Sequence, residues 1–393
     1  MNGTIYMPVG EVCSSISDTY REKKNMVTLI NTSDVLEGRV LNHERVPNSN
    51  LKGQFKKTFQ RDDILYSEIR PQNRRFAYVD FSPIDYIAST KLMVIRAKKD
   101  VVSPKYLYYF LKNSSTVAEL QLLAETRSGT FPQITFSEVA NLTIHVPSLA
   151  VQEVIVQTMQ CLEDKITCNE QINDNLEQQA QSYFQELFVD NADPEWAIGT
   201  ISDLGTVVGG STPSKAKPEY YTESGIAWIT PKDLSINKSK FVSHGENDIT
   251  ELGLKNSSAA IMPEGTVLFS SRAPIGYIAI AAGEVTTNQG FKSVVPKPEI
   301  GTPFVYFFLK NTLPVIEGMA SGSTFKEVSG STMKNVPAVI PDAETLAKFS
   351  DFCAPIFAQQ RILEEQNQSL ATLRDNLLPK LMSGEIDVSA VQL

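Results

Sequence analysis

The chain has 393 residues, 42% of them hydrophobic, which is more than one ordinary core uses and enough for two. No apolar run approaches the roughly 18 residues of a membrane span, and the opening Met1 to Val12 lacks the basic-then-apolar order of a secretion signal, so a cytoplasmic protein without membrane contact is expected. The net charge of −9 argues against a simple nucleic-acid binder, whose affinity leans on cations, but the charge is divided unevenly: residues 1–146 hold 19 basic and 15 acidic side chains, whereas 147–188 hold 1 and 7.

The N-terminal stretch, residues 1–146, is expected to form a mixed α+β globule of short apolar runs broken by Gly and Pro. Ile64 to Ser67 has the character of a buried strand, and two basic segments flank it. One runs from Gln54 to Arg61 with Lys56, Lys57 and Arg61; the other, from Arg70 to Phe76, carries Arg70, Gln72, Arg74 and Arg75. Arginine, glutamine and asparagine can bond base edges in the major groove while lysines meet phosphates, so these are candidate DNA contacts. An ordinary solvated edge is the plainer alternative, and Lys98-Lys99 is a weaker candidate still. Tyr106 to Lys112 has the apolar pattern of a helix.

From Pro147 to Phe188 the pattern is that of one long helix, and residues 147–189 are assigned to it. Apolar positions recur at alternating steps of four and three: Leu162, Ile166, Asn169, Asn173, Leu176, Ala180, Tyr183, Leu187. That is the a/d seam of a coiled coil. Forty residues of helix rise roughly 60 Å. The acidic balance here disfavours contact with DNA and suits a spacer or a protein-docking surface.

Residues 190–340 form a second α+β globule. Gly209-Gly210-Ser211-Thr212-Pro213-Ser214-Lys215, followed by Lys217, is a turn-rich loop that lacks the strand-to-helix setting of a nucleotide loop; it is either a structural turn or a DNA-facing one, and in the second case Thr212, Ser214, Lys215 and Lys217 are candidate DNA contacts. Arg272 lies in a strand-to-loop segment like that of Arg70 and joins them. Asn288-Gln289-Gly290 and Lys292 are weaker candidates. A second long helix is assigned to 341–384, with its seam at Ile356, Gln360, Leu363, Asn367, Leu370, Arg374, Leu377 and Leu381, and a short tail at 385–393. Pro147 and Pro341 suit helix starts, and Ser383-Gly384 suits a helix end.

The second half repeats the first. Leu107 to Asn113 matches Val305 to Asn311 with an offset of 198, Ile64 to Ser67 matches Val267 to Ser270 with an offset of 203, and the helices match at 194 without a gap. Connectivity favours antiparallel helices with the globules at opposite ends. Asn173 and Asn367, equivalent in the repeat, could then hydrogen-bond to each other and set the register; the plainer alternative is that each sits at a loosely packed edge of the seam. Neither half carries a phosphate loop, an HExxH, a GxSxG elbow or an Asn-Pro-Pro-aromatic tetrad. The four cysteines form no CxxC pair, and with three scattered histidines they offer no zinc-ligand spacing. A non-catalytic, DNA-reading protein is expected, without metal or cofactor. The competing expectation is a two-headed scaffold that binds proteins and does not read DNA.

Several segments together resemble the specificity subunits of type I restriction-modification systems: the Gly209 to Ser214 loop, Trp228-Ile229-Thr230-Pro231-Lys232-Asp233-Leu234, Thr287 to Phe291, Ser321 to Phe325 and, most specifically, Leu377-Leu378-Pro379-Lys380-Leu381-Met382-Ser383-Gly384-Glu385-Ile386. The first half matches more weakly: Ser128 to Phe131 keeps the Ser-Gly-Thr-Phe theme, and Ile30 to Val35 is only loosely similar to the Trp228 segment. The resemblance implies two target-recognition domains separated by antiparallel helices, and a split, asymmetric site on double-stranded DNA. It also implies partners: two methylation subunits that use S-adenosylmethionine to methylate adenine at N6, and two restriction subunits that use ATP and Mg.

Overall fold

The computed structural model describes residues 5–49, 53–126, 132–322 and 326–388. The Ser-Gly-Thr-Phe segment at Ser128 to Phe131 and most of its counterpart at Ser323 to Phe325 lie outside the described residues. The chain divides into two compact units, one of residues 1–165 with 369–393 and the other of residues 166–368. Each unit therefore contains one globule, part of the helix that follows it and part of the other long helix.

In the first unit, two four-stranded sheets carry the globule. One runs Arg45–Pro47, Met26–Ile30, Tyr86–Ser89, Phe55–Lys57; the other runs Cys13–Ile16, Leu92–Ala97, Ile64–Ser67, Phe76–Tyr78. The strand expected at Ile64 to Ser67 is buried at every residue. The helix Pro104–Lys112 starts with proline after Ser103, where the missing N–H costs nothing, and buries every residue from Tyr106 to Leu111. A second helix, Ser114–Thr126, follows directly. The second unit repeats this plan with a five-stranded sheet, Gly205–Gly209, Lys292–Pro296, Val267–Ser271, Ile275–Ala281, Phe241–Val242, and a four-stranded one, Tyr221–Thr222, Asn247–Ile249, Ile226–Ile229, Thr286–Thr287. Here Thr302–Met319 is one helix that tolerates Pro314 within it.

The repeat extends to strand direction. Met26–Ile30 runs parallel to Tyr86–Ser89 in the first globule, and Ile226–Ile229 runs parallel to Thr286–Thr287 in the second, while most neighbouring strands are antiparallel. Ile30 and Ile229 end the corresponding strands, and each is followed by the same reciprocal cap. The Asn31 N–H donates to Asp34 Oδ2 at 2.7 Å, and the Thr230 N–H donates to Asp233 Oδ2 at 2.7 Å. The loose likeness between Ile30–Val35 and the Trp228 segment is thus a shared local structure.

The long helices run Leu149–Gln185, extended by one π-turn over Glu186–Asp190, and Ala343–Ser383. Each begins two residues after its proline. The second ends on Gly384 at φ 76°, a left-handed conformation that glycine adopts without a Cβ penalty. Leu162, Ile166, Asn173, Leu176, Leu187, Ile356, Leu363, Asn367, Leu370, Leu377 and Leu381 are all buried or half-buried, whereas the neighbouring Cys161, Asp164, Lys165 and Cys168 are exposed. Within the second unit the helices run antiparallel: Asn169 pairs with Asn367, and Asn173 with Gln360.

The candidate Asn173–Asn367 bond is not made. Asn169 Nδ2 donates to Asn367 Oδ1 at 2.8 Å, and Gln360 Nε2 donates to the Asn173 carbonyl at 3.1 Å. In an antiparallel pair built from a repeat, equivalent residues face each other only at the local dyad, and these two asparagines sit off it. Asn367 takes a partner one turn from Asn173, and Asn173 takes one two turns from Asn367. A polar register device is present, formed by non-equivalent residues.

The end of each long helix is buried in the globule it does not follow. Phe184, Leu187 and Phe188 join the second core, beside Phe304, Phe307 and Phe349. Their equivalents at an offset of 194, Leu378, Leu381 and Met382, join the first, beside Leu107 and Val146. Residues 385–388 are not a free tail: Ile386 packs against that core, and Val388 is buried in it. Among the described residues no helix is long and apolar enough to cross a membrane.

All four cysteines are free thiols, with Cys13 and Cys353 buried and Cys161 and Cys168 exposed. Burial pushes both the Cys13 and Cys353 thiols up to about 12. Since the thiolate is the nucleophile, brief iodoacetamide treatment of the native chain at neutral pH should label Cys161 and Cys168 while leaving Cys13 and Cys353 unmodified until denaturant is added. Peptide mass spectrometry reads the outcome directly.

Candidate functional site

In the second globule, segments far apart in sequence converge on one cleft of about 710 Å³. Its floor is where three chain segments lock together. A Cβ on Gly210 would lie 2.0 Å from the Asn288 carbonyl oxygen, so only glycine allows the two loops to touch. The Ser211 N–H donates to the Thr287 carbonyl at 2.9 Å, Trp228 Nε1–H to the Ser211 carbonyl at 3.0 Å, and the Asn288 N–H to the Ile229 carbonyl at 3.0 Å. Tyr221 stands edge-on to Trp228, ring centroids 5.7 Å apart, and its hydroxyl donates to the Pro213 carbonyl at 2.6 Å.

Of the residues marked from sequence, Thr212, Lys215 and Arg272 line this cleft, together with Asn288 and Gln289. Ser214 and Lys217 are exposed but do not line it; the Lys217 ammonium lies 5.2 Å from the centre of the Tyr220 ring. Arg272 pairs with Glu327 at 3.4 Å, and Lys292 approaches the same carboxylate at 3.9 Å. Burial draws the Lys292 ammonium down from the usual lysine range.

The first globule builds the same junction from different side chains. Asn288 Oδ1 accepts the Gly290 N–H at 2.8 Å, and at the matching strand end Ser89 Oγ accepts the Lys91 N–H at 3.3 Å. Arg70 precedes Pro71 at φ 45°, as Ala273 precedes Pro274 at φ 51°. The residue equivalent to Arg70 is therefore Ala273, and Arg272 stands one place before it.

The structure gathers Arg70, Gln72, Arg74 and Arg75 around the short turn Pro71–Asn73. Arg70 and Gln72 are exposed. Arg74 donates to Ser114 Oγ at 2.8 Å, while Arg75 donates to the Ser33 carbonyl at 3.0 Å and ties this turn to the Asn31–Asp34 cap. Lys57 is held by the carbonyls of Thr90 and Leu92, at 3.1 and 2.8 Å, and burial lowers its ammonium below the ordinary lysine range. Its role is to brace the Ser89–Lys91 turn from below, whereas Lys56 and Arg61 are exposed. Lys98 is tied to the Glu11 carbonyl and Lys99 to Asp62.

Sequence reasoning missed Lys91, whose ammonium lies 3.4 Å from Glu68 and 3.3 Å from Gln133 at this junction. It underrated Asn288 and Gln289. The signal was the paired strand ends, which share backbone geometry but no residue identity, so a comparison of letters does not find them.

The duplicated chain presents a donor-rich loop junction on each of its two copies. It belongs to the type I restriction modification DNA specificity domain family, whose model matches residues 6–178 and again residues 194–373. The family consists of non-catalytic subunits. The chain is 29% identical over 435 aligned residues to the type I restriction enzyme HindI specificity subunit of Haemophilus influenzae, covering 92% of this chain and 94% of that one. It is 39% identical over 194 residues to the MjaIX specificity subunit of Methanocaldococcus jannaschii, covering 47% and 45%. Its fold is shared with the S subunit of a type I restriction-modification system from M. genitalium, at TM-score 0.57 and 17% identity over 97% of this chain and 96% of that one.

Proposed function

We propose that this chain reads a bipartite, asymmetric site on double-stranded DNA, one part with each globule, and docks two methylation subunits and, in the restricting complex, two restriction subunits. The observation that carries the reading is the cleft in the second globule, where Thr212, Lys215, Arg272, Asn288 and Gln289 meet on a rigid frame. Arg70, Gln72 and Lys91 occupy the matching junction of the first. Such side chains bond base edges and phosphates. Chemistry is left to the partners: methyl transfer from S-adenosylmethionine, and ATP and Mg use, need no group on this chain. The exposed polar faces of the long helices are where methylation subunits would dock.

The test is retention of random and cognate duplexes by the chain, with and without its methylation partner, across a salt series, followed by methylation-pattern sequencing. Salt-sensitive binding and a split methylated site are expected. A two-headed protein scaffold would show no salt-dependent retention under either condition.

A further inference from the structure

In the second globule's cleft both carboxylates are engaged within the protein, and the other side-chain polar groups are mostly donors; Asn247 is the exception, an amide that also accepts. Asp233 Oδ2 takes the Thr230 N–H at 2.7 Å and its hydroxyl at 2.6 Å, while Oδ1 takes the Glu246 N–H at 2.8 Å. Glu246 in turn pairs with Lys232 at 2.5 Å. Both carboxylates lining the cleft are thus engaged from within the protein.

The amides are oriented by the same logic. A backbone N–H can only donate, so the Gly290 N–H at 2.8 Å fixes the Asn288 atom facing it as the oxygen, leaving the NH₂ for a ligand. The Thr212 hydroxyl meets Gln289 Oε1; a hydroxyl can donate or accept and does not fix the amide as a backbone N–H does, but with the oxygen on Thr212 the Gln289 NH₂ is left for a ligand. Lys215 adds an ammonium that only donates, and Arg272 keeps several N–H groups beyond the one turned toward Glu327.

In the major groove guanine presents two acceptors, N7 and O6, whereas adenine pairs an acceptor with an amino donor and cytosine presents an amino donor. A donor-rich surface disfavours amino groups and fits guanine, whose two acceptors it can engage together, better than thymine, which offers the single acceptor O4. We propose that the second globule reads guanine in its part of the DNA site, with Asn288 and Gln289 as the discriminating side chains supported by Lys215 and Arg272. This rests on the DNA-reading function proposed above and adds the base that one globule selects.

The experiment is selection from a randomised duplex pool by the chain assembled with its methylation subunit, for wild type, Asn288→Asp and Gln289→Glu. Aspartate at 288 still accepts the Gly290 N–H, so the turn is kept while the outward donor becomes an acceptor. Wild type should select a half-site containing guanine. In the variants that preference should fall roughly tenfold or more at one position, moving toward bases with an exposed amino group, with the other half-site unchanged. Unaltered tryptophan emission confirms that the variants are folded. The inference is overturned if wild type binds a specific duplex but both variants select the same site, or if the half-site they alter contains no guanine. Absence of any salt-sensitive binding by the wild-type complex would instead remove the DNA-reading function itself, and this inference with it.

Discussion

Replacing Glu177 with alanine should destabilise the second unit by about 3–5 kcal/mol, the cost of breaking a buried ion pair by removing one partner. Glu177 lies 2.5 Å from both Lys240 and Lys310 and accepts the Tyr306 hydroxyl at 3.1 Å. Lys240 is almost wholly enclosed, with its ammonium 3.9 Å from the centre of the Phe357 ring and 2.7 Å from Gln360 Oε1. Burial alone pulls the Lys240 ammonium down from the usual lysine range, and Glu177 opposes that. Without the carboxylate two ammonium groups would share an apolar pocket. Glu364, which accepts the Lys240 and Phe241 N–H groups, moderates the loss.

Both tryptophans of the chain, Trp196 and Trp228, lie in the second unit, so tryptophan emission during urea unfolding reports that unit alone. The pH dependence has a definite sign. Burial raises the Glu177 carboxyl, but Lys240 and Lys310 outweigh it and hold it below the ordinary glutamate range. Its stabilisation is therefore complete above the unfolded value of about 4.3 and is lost as pH falls through the lower folded value. The difference in stability between wild type and Glu177→Gln should shrink on acidification through that window. A constant difference down to strongly acid pH would show that the charge is not what holds this cluster.

The features legible in the sequence were those with a period or an offset. The helices were legible because Leu162 to Leu187 and Ile356 to Leu381 keep one spacing, and an a/d stripe has few other uses in a folded chain. The duplication was legible because the helices match at a constant 194 residues. Pairing across the helices was not, because the partner of Asn367 depends on where the dyad falls between the strands of the seam, a quantity no single helix encodes. The site was legible only as a set of segments. Arg75 and Lys57 were marked as DNA contacts for their charge, yet both donate to backbone carbonyls of their own globule. Whether a cation faces solvent or braces a turn is decided by the third dimension, and composition is silent on it. The match of Ser89-Thr90-Lys91 to Asn288-Gln289-Gly290 was hidden for the opposite reason: the backbone turns agree while the side chains differ.

The terminal segment presents the converse case, a sequence signature whose meaning is packing. Truncating Leu381 to alanine should cost the first unit about 2–5 kcal/mol, the usual range for a buried leucine, although this residue lies more than 230 positions from the strands it supports. Leu381 is 2% exposed and shares a core with Leu107, Ile144 and Met159. Beyond it, Gly384 seats the helix end against His145, where a Cβ would lie 2.8 Å from Cε1, and the Tyr6 hydroxyl donates to the Ser383 carbonyl at 3.0 Å. Hydrogen exchange should therefore show faster exchange in Leu381→Ala at the paired strands Ile5–Pro8 and Thr143–Val146, with no change in the tryptophan-detected transition of the second unit. If only the C-terminal helix frays while those strands keep their protection, the last turn is an ornament on the first core and not a part of it. The physical reason to expect the former is that the first globule's core closes only when the chain's last helix supplies Leu378, Leu381 and Met382, as the first helix supplies Phe184, Leu187 and Phe188 to the second. These residues answer to a hydrophobic core, so under the proposed function the terminal segment can stay the same whichever bases the loops read.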